Sequence, residues 1–260
     1  MSTTSELRPT ERTAPGLRVL GTEIGEGLRA IVREPVVLFF SVLMPVMFFA
    51  LFASLYGDIP SDSGIPTGAT MLATYGTFAV VSVMLVNPGV TVADDRTRGW
   101  LRVKKVSAVP ISTVVAAKVL AALPYAAAAL LAITGVSLLI TGPALDAGSW
   151  LLLVGVLLLG SLPFALFGLA VGFVASSNGA VAILNAVLFP TVIASGLWIP
   201  LDILPPVVQS IAPVLPTYHL AQLALAQLTG AGGLGHLVAL LVSTAVGAVL
   251  AGLAYRNLRV

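Results

Sequence analysis

Six stretches of the chain are apolar almost throughout, at about 36–56, 70–93, 113–140, 150–175, 179–199 and 234–255. Each approaches or exceeds the roughly 20 helical residues that cross a bilayer. None alternates apolar and polar residues at period two, so the strands of a membrane barrel are not expected. The pattern predicts an all-α integral membrane fold with six transmembrane helices. The joints carry turn chemistry: Pro60, Ser61, Asp62, Ser63, Gly64 and Pro66 between the first two spans, Thr141-Gly142-Pro143 after the third, and Ser176-Ser177-Asn178-Gly179 between the fourth and fifth.

Two further segments have patterns of their own. Residues 1–15 are polar and lack the apolar core of a cleaved leader, so no cleavage is expected. In 16–34, Leu17, Leu20, Ile24, Leu28 and Ile31 recur on one helical face, with Arg18, Glu26, Arg29 and Arg33 elsewhere around it. That predicts an amphipathic helix at the membrane interface. The chain thus divides into residues 1–35, a cytoplasmic N-terminus with this interface helix, and 36–260, a six-helix transmembrane domain. Residues 200–233 are apolar but hold Pro200, Pro205, Pro206, Pro213 and Pro216. Proline removes a backbone donor and breaks a helix interior. Short re-entrant helices on the outer side, between spans five and six, are therefore expected there, rather than a seventh span near 203–228.

Charge selects between those two topologies. All thirteen basic residues fall before span one (Arg8, Arg12, Arg18, Arg29, Arg33), around the joint of spans two and three (Arg96, Arg98, Arg102, Lys104, Lys105, Lys118), or after the last span (Arg256, Arg259). The segments 57–69, 141–149 and 200–233 contain none. With six spans every basic residue is cytoplasmic, as the positive-inside rule requires. A seventh would send Arg256 and Arg259 outside. Both termini are expected in the cytoplasm. Composition agrees: 58% of residues are hydrophobic and 9% charged, against about 25% charged in soluble domains.

The chemistry is sparse. There is no cysteine, no G-x-x-x-x-G-K-[ST] phosphate loop, no H-E-x-x-H and no G-x-S-x-G, so an enzyme acting alone is a poor reading. His219 and His236 read as isolated interfacial residues, and no metal site is expected. Within the spans Lys118 is the lone lysine, arginine or acid, near enough to an end to snorkel. A proton-driven transporter would be expected to bury acids along its path. Pro45, Pro88, Pro124, Pro163 and Pro190 read as internal kinks, and Gly168-x-x-x-Gly172 as a close helix contact. Asn87 and Asn185 are the most polar groups deep in the bundle; each either lines a path or makes an interhelical hydrogen bond.

The segment 94–112 is dense in charge, yet it also holds Trp100, Leu101 and Val103, which suit a short helix docking on a partner or on the membrane surface. Here the sequence resembles the ABC-2 type transporter permeases, in a form common among bacterial drug and antibiotic exporters. Asp95-Arg96-Thr97-Arg98-Gly99 is similar to the family's acidic-Arg-x-x-Gly loop, with Asp95 where many members have glutamate. Ser107-Ala108-Val109-Pro110 follows as its turn, with Ala108 where many have proline. Leu188-Phe189-Pro190, Ser195-Gly196-Leu197-Trp198-Ile199-Pro200 and Leu204-Pro205-Pro206 are similar to the family's second signature.

The resemblance implies a permease subunit, not itself an enzyme, in a bacterial plasma membrane. It would pair with a second permease copy, identical or different. A separate ABC ATPase would bind the ATP and Mg, with no cofactor in this chain and no nucleic acid. Coupling to the ATPase would fall to Asp94, Asp95, Arg96, Arg98, Gly99, Trp100, Arg102, Lys104 and Lys105, aided by the interface-helix residues Leu20, Ile24, Leu28, Arg29 and Arg33. Asn87, Asn185 and Thr191 are the expected path residues, and Pro200, Pro205 and Pro206 form the outer re-entrant turn. The implied cargo is an apolar or amphipathic drug, antibiotic or lipid moving outward. A secondary transporter without an ATPase, or a membrane scaffold or sensor subunit, would share the topology.

Overall fold

The computed structural model describes residues 21–22, 24–25, 29, 39–57, 65–101, 111–142 and 145–257, apart from the side chains of 40, 41 and 111. Among these there is no strand. A turn of π-helix, Phe39–Leu43, leads into α1 (Met44–Tyr56). Then come α2 (Thr67–Thr97), α3 (Ile111–Ile140), α4 (Ala147–Gly160), α5 (Leu162–Gly172) and α6 (Ser177–Ala194). Two 3-10 turns, Leu201–Ile203 and Ala212–Val214, flank α7 (Pro206–Ile211), followed by α8 (Pro216–Thr229) and α9 (Leu234–Arg256).

Five helical stretches are long and apolar enough to cross a membrane: α2, α3, α4 with α5 taken together, α6 and α9. The first expected span is described over 39–56, as the π turn and the shorter apolar helix α1. Between α6 and α9 the longest helix is α8, of 14 residues, so no helix long enough for a seventh span occurs there. Large apolar side chains such as Leu139, Leu159, Leu241 and Val249 lie open on the outside. That arrangement suits hydrocarbon, where apolar surface needs no cover and each helix satisfies its own backbone. The hydroxyls of Thr77, Thr134, Ser243 and Thr244 likewise bond to carbonyls one turn back.

Helix α2 is the axis of the bundle. Every residue from Tyr75 to Val90 is buried, and α1, α3, α5, α6 and α8 all pack against it. The closest crossing is with α5. A Cβ built on Gly89 would stand 2.6 Å from the Gly168 carbonyl oxygen, and Cβ atoms on Gly168 and Gly172 would collide with the carbonyls of Leu85 and Gly89. The Gly168-x-x-x-Gly172 spacing is therefore a close backbone contact, of the kind small residues allow between membrane helices. Gly89 is its third member.

Two features differ from the sequence reading. Span four is not one helix kinked at an internal proline; it breaks at Ser161, and Pro163 lies in the first turn of α5. A first-turn proline loses nothing, because its missing N–H would have had no intrahelical partner. Pro45 lies where the π turn Phe39–Leu43 passes into α1, within one helical run, and Pro88, Pro124 and Pro190 lie inside helices. The second span also runs further than expected, carrying Asp94, Asp95 and Arg96 within α2.

The bundle has a charged end, which carries lysine and arginine, and an end without either among the described residues, the uncharged end in that sense. At the uncharged end Thr141 fits between Gly57 and Gly68, Asp146 caps α4, and Trp150 donates to Thr134 Oγ1 at 2.9 Å. Of the described basic residues after position 39, Arg96, Arg98, Lys118 and Arg256 all belong to the other end, where Phe173 also meets Tyr255 edge to face.

Helix α8 starts deep in the bundle. Leu220 in its second turn lies against Gly160, which is thirteen residues into α4, or about 20 Å along the helix. At its far end Thr229 shares a cavity wall with Thr70, in the first turn of α2.

Candidate functional site: the charged end of the central helix

The last turn of α2 joins three helices. Asp95 forms an ion pair with Lys118 of α3, Nζ to Oδ2 2.8 Å; the two side chains are 22% and 8% exposed. Lys118 therefore does not snorkel to water but is held inward by a carboxylate. One residue on, Arg96 donates from Nη1 to the carbonyls of Val174 (2.8 Å) and Ala175 (2.9 Å), just past the end of α5. Helix ends leave carbonyls without intrahelical donors, and a cation there also complements the helix dipole. Asp94 instead faces Arg98 one turn on, at 3.0 Å, with the Arg98 side chain 66% exposed. Such an exposed pair contributes little.

Beyond Thr97 the helix stops. Gly99 has φ +78° with nothing within reach of an added Cβ, the left-handed geometry that glycine tolerates at a helix C-terminus. The chain turns helical again at Trp100 and Leu101. Leu101 is buried, whereas Trp100 is 57% exposed. The expected coupling residues thus split. Asp95 and Arg96 are engaged inside the chain, while Arg98 and Trp100 face outward. Arg102, Lys104 and Lys105 lie outside the described residues, as do Leu20, Leu28 and Arg33 of the expected interface helix. Of that helix, Ile24 and Arg29 are helical, Ile24 half-buried and Arg29 exposed.

The three expected path residues lie on α2 and α6, and the described contacts of the two on α6 are mostly within that helix. Asn87 is buried in α2 at 1% exposure. Asn185 makes an intrahelical bond, Nδ2 to the Val181 carbonyl at 2.8 Å, and its Oδ1 is buried with no partner among the described residues. The Thr191 hydroxyl is used within α6, by the Val187 and Leu188 carbonyls. Pro200 and Pro205 precede the first 3-10 turn and α7, and Pro206 is the first residue of α7, so all three stand at helix starts.

Sequence reasoning missed two side-chain groupings. Lys118 was read without its partner, although it and Asp95 flank one short joint. His219 and His236, read as isolated, meet with their Nδ1 atoms 2.9 Å apart; no local pattern announces that contact.

A multi-helix membrane protein whose central helix carries this acidic-Arg-x-x-Gly turn at its charged end has the form of a transport permease. The chain belongs to the ABC-2 type transporter family, whose sequence profile matches residues 22–229. Among curated proteins it is similar to the putative transport permease YvfS of Bacillus subtilis (strain 168), at 22% identity over 193 residues, covering 74% of this chain and 78% of that protein.

Proposed function

We propose that this permease is the membrane subunit of an ATP-driven exporter in a bacterial plasma membrane, coupled to a separate ATPase through the segment that follows α2. The observation that carries the reading is Trp100: a large apolar side chain left 57% exposed, directly after the Gly99 turn and at the charged end. An apolar ring surrounded by charges is the anatomy of a docking hot spot. Asp95 and Arg96 behind it tie the docking segment to α3 and α5. In this reading ATP and Mg are bound by the partner, and this chain holds no cofactor.

The positive-inside rule supports the charged end as cytoplasmic. The π turn and α1 then make the first of six crossings, and both termini face inward. Helix α8, starting near the middle of span four, is re-entrant from the outer side. A second copy, identical or different, would sit across α6, where Ile183 and Val187 are open. The near absence of ionisable groups in the spans supports an apolar or amphipathic cargo.

The test is co-purification with the ATPase from native membranes and assay of ATP hydrolysis. Trp100→Ala should reduce ATPase recovery by about tenfold or more, the effect of losing an aromatic anchor, without altering permease abundance. Recovery at the wild-type level would remove Trp100 from the docking site. A permease that brings down no ATPase at native expression would sink the exporter reading itself.

A further inference from the structure

The chain has two histidines, and the fold places them in contact. His219 lies in the first turn of α8 and His236 in the first turn of α9, with their Nδ1 atoms 2.9 Å apart. The Nε2 of His219 lies 2.9 Å from the Pro213 carbonyl. A carbonyl can only accept, so this nitrogen carries a proton. A neutral His219 then has a bare Nδ1, and the proton between the rings belongs to His236 Nδ1. Each protonation state follows from the partner that the other nitrogen meets.

This geometry tolerates one added proton but not two. His236 can take a proton at Nε2 and keep donating from Nδ1 to His219. Once His219 Nδ1 is also protonated, two N–H groups on two cations face each other across 2.9 Å. Such a contact has no acceptor and adjacent like charges, so it must open. Other charge near the pair is scarce. Tyr218 is the titratable ring packed against both imidazoles. The cavity beside His236 is lined by the uncharged Ile65 and Thr70 from the start of α2 and Gln222 and Leu225 from α8. Among the described residues no acid joins the two histidines in a cluster of three; Asp58 and Asp62 lie in 58–64, outside those residues.

Solvent has a route to His236, and through it to the shared proton. A cavity of about 410 Å³ is lined by Thr70, Gln222, Thr229 and His236 and reaches the uncharged end of the bundle. The contact also bridges two elements: α8, which starts deep against Gly160, and α9, whose Leu240 lies against the same glycine.

We infer that His219 and His236 form a proton-operated latch between α8 and α9, closed while at least one ring is neutral and released when both are charged. Acidification at the uncharged end to below the range where a lone histidine titrates (about pH 6.5), because the second charge is added beside the first, then frees the start of α8 from the last span. That this end is the outer one rests on the orientation proposed above; the latch chemistry does not.

The full chain in lipid nanodiscs or proteoliposomes suits the test, because isotope-labelled histidine reports this pair and nothing else in the chain. The expected result is a titration in two separated steps, with the Nδ1–Nδ1 coupling surviving the first and lost at the second. Cysteines introduced at the exposed Val214 and Leu237, in a chain with none of its own, carry spin labels for the distance between the two segments. That distance should shift and broaden between about pH 8 and about pH 4, with the second of the two steps. In His236→Asn, whose amide can donate to or accept from His219, it should stay fixed. Single-step independent titration of the two rings, or an unchanged distance in the wild type, would overturn the latch. So would the same shift in His236→Asn, or a shift abolished by a chelator, which would indicate a bridging metal instead.

Discussion

Replacing Gly89 by alanine measures how tightly α2 and α5 depend on their glycines. The added Cβ would stand 2.6 Å from the Gly168 oxygen and 2.6 Å from Leu184 Cδ1. The leucine can rotate away, but the carbonyl is backbone on the facing helix. A carbon–oxygen contact relaxes at about 3.3 Å, so the helices must part by about 0.7 Å. Forced expansion of a packed core costs about 1–3 kcal/mol, and a shift of two buried backbones belongs at the upper end. Alanine's helix propensity returns about 1 kcal/mol, leaving a net loss of about 2 kcal/mol. Gly155→Ala in α4 is the internal control, since nothing lies within 4 Å of its Cβ; it should be neutral or stabilising by up to about 1 kcal/mol. The assay is denaturant unfolding in mixed micelles, followed by the fluorescence of the three tryptophans. Gly168→Ala should cost at least as much as Gly89→Ala. The double variant should lose less than the sum, because helices already parted by one methyl admit the second. Equal stability of Gly89→Ala and Gly155→Ala would refute the close crossing.

Other outcomes follow from the charged end and the caps. Lys118→Met strands the Asp95 carboxylate and should cost about 3 kcal/mol, the lower end for an uncompensated buried charge because Asp95 is partly exposed; adding Asp95→Leu should recover most of it in the same unfolding assay. Arg96→Leu should cost about 1.5–3 kcal/mol for its charge-assisted bonds, while Arg98→Leu should leave stability within about 0.5 kcal/mol of wild type. The Asp146 carboxyl is held below its ordinary range by the Ser149 hydroxyl and by the Ser149 and Gly148 backbone N–H groups. Its stabilisation is therefore present above that range and disappears as pH falls through the lowered value. Asp146→Ala should lower the Tm at neutral pH and remove that part of the acid dependence, as thermal melts across pH would show.

Helix identity was readable wherever an apolar run was long and its ends carried breakers. The spans beginning near residues 113 and 234 differ from α3 and α9 by two residues or fewer at each end. Boundaries failed where charge or proline has a local partner. Sequence ends span two before Asp94, because charges resemble the start of a loop. In the fold Lys118 and the Val174 and Ala175 carbonyls neutralise Asp95 and Arg96, so the helix continues. Pro163 reads as a kink because its distance from the start of span four conceals the break at Ser161. The Gly168-x-x-x-Gly172 contact was visible as a spacing, but its counterpart Gly89 was a lone glycine beside a proline. Pairings across the bundle, such as Asp95 with Lys118 or His219 with His236, leave no periodic trace and depend on how helices cross.

The three kinds of contact along α2 suggest how a push at its charged end would travel. There the helix is held by directional bonds, Asp95 to α3 and Arg96 to the end of α5. In its middle it is held to α5 by backbone contact with no side chain to give way. A displacement applied next to Trp100 therefore moves α2, α3 and α5 as one body. Toward the other end the links are looser: α8 is a short helix entered through proline-started turns, and it touches α9 through an imidazole pair that a proton can open. Compliance thus concentrates at α8 and α9, which in the proposed orientation is the outer side of the bundle. On the proposed function, a variant that stiffened that side, such as a disulfide between α8 and α9, should preserve ATPase docking while blocking transport, whereas the double variant Lys118→Met with Asp95→Leu, which removes the pair while recovering most of the stability, should uncouple the two partners.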